Sequence, residues 1–378
     1  MNKSEKSSKK RSNKILIVGP LPPPYFGVPI MLEALSRLSS SNYSIQTLDI
    51  KFNTSVTNIE KFTIKKIFLF VNYCFQLNKK FNSECYDAVI FAHSFHLSAF
   101  IKDTIFISIA LLHHSKVILY AHGQKFDSFY YSLNNLFKGF VDFYIHRTTL
   151  IVTTGQSLLK EYTKWNRYAK IDYVHNFVPD NFPKVKSNHD EQFPVTVLFL
   201  SAITRSKGIF LLLDAIKLLK EESDRIQFRI CGDYIHKFFD EQKKIFKFLQ
   251  ESKINNIQIV GRVDGMEKIK EFSNADIFVF PTLNDAFGLV NLEAMSASLP
   301  IITTSQGAIL EYITDQVNGF IVPENDAFFL ADKIKFLVYH PEIRLKMGLE
   351  NRQKYLALYA GKQYYAKWDL IVKNVIGV

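Results

Sequence analysis

The sequence predicts an α/β protein built from two Rossmann-like domains. Three observations lead there. A chain of 378 residues is long for a single core. Both halves repeat one unit, a short β-rich run that ends in small or polar residues and leads into a helical stretch. A polar segment bracketed by prolines, Pro179 to Pro194, lies between the halves.

In the first half, "KILIVGPL" (Lys14 to Leu21) reads as a strand, "PPPYFGVP" as a loop and "IMLEALSRLSS" as a helix. "YDAVIFAHS", "KVILYAHGQ" and "TLIVTTGQS" repeat the strand with a polar end. In open α/β sheets ligands gather at those carboxyl ends. A second series opens at "VTVLFLSAITRSKGIFLLLDAIKLL" and continues through "IQFRICGDY", "NIQIVGRV", "ADIFVFPTL" and "LPIITTS". "NDAFFLADKIKFLVYH" and "PEIRLKMGLENRQKYLALY" close it as helices. The expected organisation is a basic, disordered tail over 1–13, an N-terminal domain over 14–183, a linker over 184–194, a C-terminal domain over 195–355 and a helical segment over 356–378.

Composition narrows the class. A hydrophobic share of 47% with 22% charged residues is globular. Cys74, Cys85 and Cys231 have neither metal-like nor redox-like spacing, which favours a reducing, cytoplasmic compartment. No apolar core follows the basic start, so no secretory signal is expected. The longest apolar run, Ile105 to Leu112 with Ser108 inside it, falls far short of the ~20 residues that cross a bilayer. Charge is uneven. Residues 1–183 hold 22 Lys and Arg against 12 Asp and Glu, a net of +10 out of +11 for the whole chain. One half is thus expected to face an anionic partner.

Neither G-x-x-x-x-G-K-[ST] nor G-x-G-x-x-G is present, which sets aside P-loop and ordinary dinucleotide readings. The loop "TRSKG" places Arg205, Lys207 and Gly208 at a strand-to-helix turn, where amides and the helix N-terminus can meet a phosphate. A solvated basic turn is the plainer reading. The stretch "TLNDAFGLVNLEAM" carries Asp285 before a helix and Glu293 inside it. Eight residues of helix span roughly 12 Å. A glycosidase pair needs carboxyls roughly 5–9.5 Å apart. The two acids therefore read as holds on separate groups of one extended ligand, against a plainer reading of helix cap and surface charge.

These pieces, together with "RICGDY", "VGRVDGMEKIKEFSNADIFVFPTLNDAFGLVNLEAMSASLPIITT" and "GAILEYITDQVNGFIVPENDAFFLADKI", resemble the retaining glycosyltransferases of family 4, also called group 1, which have the GT-B fold. The resemblance is densest from Val195 to Val322. It implies two Rossmann-like domains facing across a cleft, with a C-terminal helix that crosses back to the N-terminal domain. It also implies a nucleotide-sugar donor, a glycan or lipid-linked acceptor, and neither cofactor nor metal. Asp285, matching the first acid of an E-x7-E pattern, would accept bonds from sugar hydroxyls, and Glu293 would hold the ribose. Amides of Phe287, Gly288, Leu289 and Val290 would touch sugar and diphosphate. Lys207 would neutralise the diphosphate, Arg262 would lie near the base, and Gly27 would let backbone approach from the other domain. His122 would stand near the reacting sugar and Asn176 at the domain junction. Three departures stand out: Asp285 where Glu is usual, Ala202 where Arg is usual with Arg205 as its substitute, and Phe26-Gly27 where two glycines are usual.

His93 and His96, or His113 and His114, have no acid or Cys at ligand spacing to make a zinc site. His93 reads either as acceptor-facing or as structural. The N-terminal half is where the family receives its acceptor. Its segment Lys61 to Phe81 has five Lys, no acid and many apolar residues. As a helix it is either a basic amphipathic face for an anionic membrane, at the inner face of the cytoplasmic membrane, or a core-facing helix with solvated lysines. Two other readings stay open: a GT-B protein that binds without turnover, and a nucleic-acid-directed enzyme, which no DNA-binding motif supports.

Overall fold

The computed structural model describes residues 12–23, 25, 27–52, 64–93, 97–182, 194–234, 239–252 and 254–378. Phe26, His96 and nearly all of the expected tail and linker lie outside them, as do the first three residues of the basic segment.

Two six-stranded sheets, parallel throughout, organise these residues. The N-terminal sheet contains β1 (Asn13–Gly19), β2 (Tyr43–Asp49), β3 (Ala88–His93), β4 (Lys116–Ala121), β5 (Leu150–Thr153) and β6 (Lys170–Tyr173) in the order β2-β1-β3-β4-β5-β6. The C-terminal sheet contains β7 (Val195–Leu200), β8 (Ile226–Cys231), β9 (Ile257–Gly261), β10 (Ile277–Phe280), β11 (Ile301–Thr303) and β12 (Gly319–Ile321) in the order β12-β11-β10-β7-β8-β9. Strands buried on both faces explain the near-continuous apolar runs: Ile277–Phe280 is buried at every position. Each sheet reverses its winding once, between β1 and β3 and between β7 and β10. Crevices open at the carboxyl ends of such strand pairs.

The N-terminal sheet is covered on one side by α2 (Ile64–Ser83), α3 (Leu97–Leu112), α4 (Phe126–Ser132) and α5 (Asn135–Ile145), which share one core with it. Its other side is covered by α1 (Gly27–Ser36) and by the last helix of the chain, α13 (Lys362–Ile376). That last helix sets Tyr364, Trp368, Ile371, Val372 and Val375 at helical spacing, all buried against β1, β3 and β4. Lys116 donates to the Val375 carbonyl (2.6 Å) and Tyr364 to that of Met31 (3.0 Å). The chain therefore crosses back, as the resemblance implied.

The crossing points sit inside the expected domain limits. Phe177 belongs to the N-terminal core and Val178 to the C-terminal one, several residues before 184–194. On the return, α12 (Pro341–Leu358) and Tyr359 still belong to the C-terminal core, so the second crossing falls at Ala360–Gly361 rather than at 356. The two crossings touch: the Phe177 and Tyr364 rings are 4.8 Å apart. Arg352 grips Asp180 with two bonds of 2.7 and 2.8 Å, and Tyr355 donates to the Val178 carbonyl (2.8 Å).

Candidate active site

The reversal point of the C-terminal sheet builds the site. The loop after β7 ends at Gly208, with φ 82°, where an added Cβ would lie 1.9 Å from the Pro281 carbonyl oxygen. Only glycine lets the two central loops press together there. Ser206 completes the join by accepting bonds from the amides of Leu283 (2.9 Å) and Asn284 (3.2 Å). Lys207 is thereby aimed at the second loop, where its ammonium donates to Asp285 (2.7 Å) and to the Asn284 carbonyl (3.1 Å). From the far side Gly307, with φ 54°, lies against the Asp285 and Ala286 carbonyls, and the Tyr312 hydroxyl bonds the Phe287 carbonyl.

Asp285 has two tasks. One carboxylate oxygen pairs with Lys207. The other accepts from the amides of Phe287 (3.1 Å) and Gly288 (2.5 Å), closing the turn that starts α9 (Leu289–Ser296). Asp285 therefore closes the turn before the helix, as the plainer reading held, while its second oxygen faces Lys207. Two of the four amides expected to meet a ligand are already engaged. Those of Leu289 and Val290, in the first turn of α9, have no partner among the described residues, as helix geometry requires.

Glu293, a turn further along α9, is held by Lys268 (2.6 Å) from α8 (Gly265–Asn274). The two acids answer to different lysines, which fits separate holds rather than a catalytic pair. Arg262 donates to Asp264 (2.7 Å) and lies 3.8 Å from Asp233. The Asp264 bond holds its guanidinium pKa above the usual value.

These side chains line one cleft of about 1630 Å³ between the domains. The facing wall comes from the N-terminal sheet. Gly27 opens α1, and a Cβ there would lie 3.7 Å from the Leu289 side chain, so the two helix starts face each other. His122 follows β4 with its ring 3.9 Å from that of Tyr120 and its Nε2 without a partner among the described residues. Burial pushes its pKa down to about 3, so the ring is neutral. His93 ends β3 edge-on to Phe100 (5.3 Å) and Phe126 (5.8 Å). Burial, with Lys102 adding to it, brings its pKa to about 3 as well. Asn176 is buried and accepts from Tyr120 (3.1 Å), at the junction as expected.

Arg205 is a correction. Its guanidinium lies over the Phe210 ring (4.5 Å) and it is not part of the cleft wall, so it does not supply the charge missing at Ala202, which does line the cleft. His113 is likewise elsewhere, bonded to Asn78 and stacked on Phe81.

Several participants escaped the sequence reading. Lys268 pairs with Glu293 from a neighbouring helix, which its local sequence does not announce. Gln124 reaches across the cleft to Asn284 (2.7 Å) and Gln306 (3.3 Å). Glu311 is a second bridge: it accepts from the Gln156 amide (3.0 Å), from the amide and hydroxyl of Ser157 (2.7 and 2.5 Å) and pairs with His175 (2.7 Å). Burial pushes the Glu311 carboxyl up, but these bonds outweigh it and hold it below the usual range. Only the fold brings such distant positions together.

Residues 180–354 match the family model for Glycosyl transferases group 1. That match spans a little under half of the chain. Among curated relatives, an uncharacterized glycosyltransferase of Methanocaldococcus jannaschii is 30% identical over 180 residues, 47% of this chain and 46% of the relative. The capsular polysaccharide biosynthesis glycosyltransferase CapM of Staphylococcus aureus is 26% identical (50% and 47% covered). The phosphatidyl-myo-inositol mannosyltransferase of Mycobacterium leprae is 27% identical (48% and 46% covered). The chain spans about half the length of the curated relatives it matches. Similarity of structure extends further. Anabaena HepE in complex with UDP-glucose superposes with a TM-score of 0.71 at 12% identity, over 96% of this chain and 99% of that one. Sucrose-phosphate synthase of Thermosynechococcus elongatus gives 0.76 at 14%, over 97% and 99%. At such identities the likeness establishes the fold, which is GT-B.

Proposed function

We propose that this chain is a retaining glycosyltransferase of family 4 that moves a sugar from a UDP- or GDP-sugar to a glycan or lipid-linked acceptor in surface polysaccharide or glycolipid biosynthesis. One observation carries the reading: in the C-terminal wall acids lie paired with cations, Asp285 with Lys207, Glu293 with Lys268, and Asp264, with Asp233 beyond it, with Arg262. A sugar nucleotide offers both partners at once, a diphosphate for the cations and hydroxyls for the carboxylates. It can exchange with these pairs while leaving every carboxylate and cation with a hydrogen-bond partner.

In this reading Glu293 accepts from ribose hydroxyls and Asp285 from the donor sugar. The diphosphate rests on Lys207 and on the Leu289 and Val290 amides, where the dipole of α9 favours negative charge. Lys207 stabilises the charge that develops on the departing nucleotide. The neutral His122 offers a hydrogen bond to the reacting sugar, and the leaving phosphate takes the acceptor proton on the face it departs from. Gly27 lets the start of α1 close on the diphosphate. The names of CapM and of the mannosyltransferase support the acceptor class, and HepE with UDP-glucose supports the donor class.

The test is hydrolysis and transfer across a panel of UDP- and GDP-sugars, with the anomeric configuration of the product read by NMR. Retained configuration, with turnover lost in Lys207→Ala and Glu293→Ala, is expected. Unchanged turnover in both variants overturns the site assignment. A second reading, binding without turnover, is favoured by Ala202 in the cleft with Arg205 facing away. It predicts nucleotide binding and no transfer on any donor.

A further inference from the structure

The helix α2 is apolar on two sides. Leu77 and Phe81 are buried in the N-terminal core, with Phe70 and Tyr73 packed beside them. On the opposite side Ile64, Phe68, Val71 and Phe75 are 73%, 73%, 60% and 69% exposed. At 3.6 residues per turn these four fall within about 60° of arc, one continuous stripe of about three turns. A core-facing helix with solvated lysines would show polar residues there. Solvated phenylalanines need another explanation.

The charge around the stripe says what covers it. Residues 64–83 contain four lysines and no acid, and Lys65 and Lys79, both exposed, flank the stripe on one side. The neighbouring α3, packed on α2 through Phe70 and Phe106 (5.3 Å), adds Ile101 and Ile105, 37% and 40% exposed. A second copy of the chain on this face would set lysine against lysine. An anionic bilayer takes the apolar stripe into its headgroup boundary and the lysines against its phosphates. Among the described residues no helix is long and apolar enough to cross a membrane, so the contact is one of lying on the surface.

We propose that the outward stripe of α2 seats the protein on anionic membrane, with Phe68 and Phe75 inserted and Lys65 and Lys79 on lipid phosphates. The seat does not depend on the transfer reading. It adds to that reading a way to meet a lipid-linked acceptor, because Phe129 lines the cleft and packs on Phe100 of the same helical layer (6.1 Å).

The experiment is sedimentation of the full chain with vesicles of phosphatidylglycerol and phosphatidylcholine at about 0.15 M salt, in the absence of any donor. The wild type should pellet with these vesicles and not with phosphatidylcholine alone. The double variant Phe68→Ser, Phe75→Ser should partition at least tenfold more weakly, since both rings then withhold their apolar area from the bilayer. Lys65→Glu with Lys79→Glu should weaken binding more than tenfold, since each exchange removes a cation and adds an anion facing lipid phosphates. These four positions are exposed, so an unchanged melting temperature accompanies the loss. If the phenylalanine variant misfolds, the lysine variant still decides. Wild type that stays in solution, or either variant pelleting as well as wild type, overturns the proposal. So does a dimer in ultracentrifugation that Phe68→Ser, Phe75→Ser dissolves while wild type ignores the vesicles.

Discussion

The two walls of the cleft follow the same sheet plan and solve opposite problems. The C-terminal wall is built of matched charges, Lys207 with Asp285 and Lys268 with Glu293, on loops that Gly208 and Gly307 press together. The N-terminal wall carries His93 and His122, both kept neutral by burial, beside Phe129 and the opening turn of α1. One wall can exchange its ion pairs for a ligand rich in charge and hydroxyls. The other offers uncharged rings for polar contact, with one charged side chain, Lys125, among its described lining residues. In the proposed reading the nucleotide lies on the C-terminal side, and the donor sugar lies between Asp285 and His122.

The largest expected effect lies on the charged wall. Lys207→Ala removes the cation at the diphosphate and should lower kcat by about 10²–10³-fold, the cost of losing one preorganised partner of developing charge. Steady-state transfer rates with a saturating donor check it. Gly208→Ala should be next. It forces a side chain into the left-handed region and against the Pro281 carbonyl, for about 3 kcal/mol of stability or more. Thermal denaturation would show a fall of several degrees.

On the neutral wall the sign reverses, because the penalty attaches to gaining a charge. The folded pKa of His93 is about 3 against an ordinary 6.5. Between those values the unfolded chain binds a proton that the folded chain refuses, so stability is full above about pH 6.5 and declines toward pH 3. Melting temperatures across that range should fall less steeply in His93→Gln than in wild type; equal slopes would contradict the burial argument. The smallest effect belongs to Arg205, whose guanidinium lies on Phe210 outside the cleft. Arg205→Ala should leave kcat/KM within about twofold, as expected of a surface substitution. A tenfold loss would return this residue to the site and blur the contrast between its loop and Lys207.

What the sequence disclosed follows from how local each feature is. Strands buried on both faces announce themselves as apolar runs, so both sheets could be read from Lys14–Leu21 and its successors. The Gly-Leu start of α9 and the Lys207-Gly208 turn were legible because strand, loop and helix are consecutive. The helix spacing from Asp285 to Glu293 argues for separate holds, and in the structure the two acids have separate lysine partners. Side-chain direction was not legible. Arg205 and Lys207 differ by two positions in a short 3₁₀ turn, and only the second points into the cleft. Partners from other elements were also invisible: Lys268, Gln124 and Glu311 meet their ligands across 25, 160 and up to 155 positions. Proline and charge mark where the chain is polar, at 184–194, whereas the core changes at Phe177–Val178, between two apolar residues. The segment from Lys61 to Phe81 was read for its lysines; its second apolar stripe appears only once the first is seen to be buried.

The central claim is that these matched ion pairs hold a sugar nucleotide, and a thermal-shift titration with UDP, GDP, ADP and their sugars tests it most directly. The account predicts that a uridine or guanosine diphosphate sugar raises the melting temperature of the wild type, by the equivalent of about 2.7 kcal/mol at a hundredfold excess over Kd. The same ligand should leave Glu293→Ala nearly unmoved. A wild type that none of these nucleotides stabilises, or a Glu293→Ala variant stabilised as fully as the wild type, would contradict it.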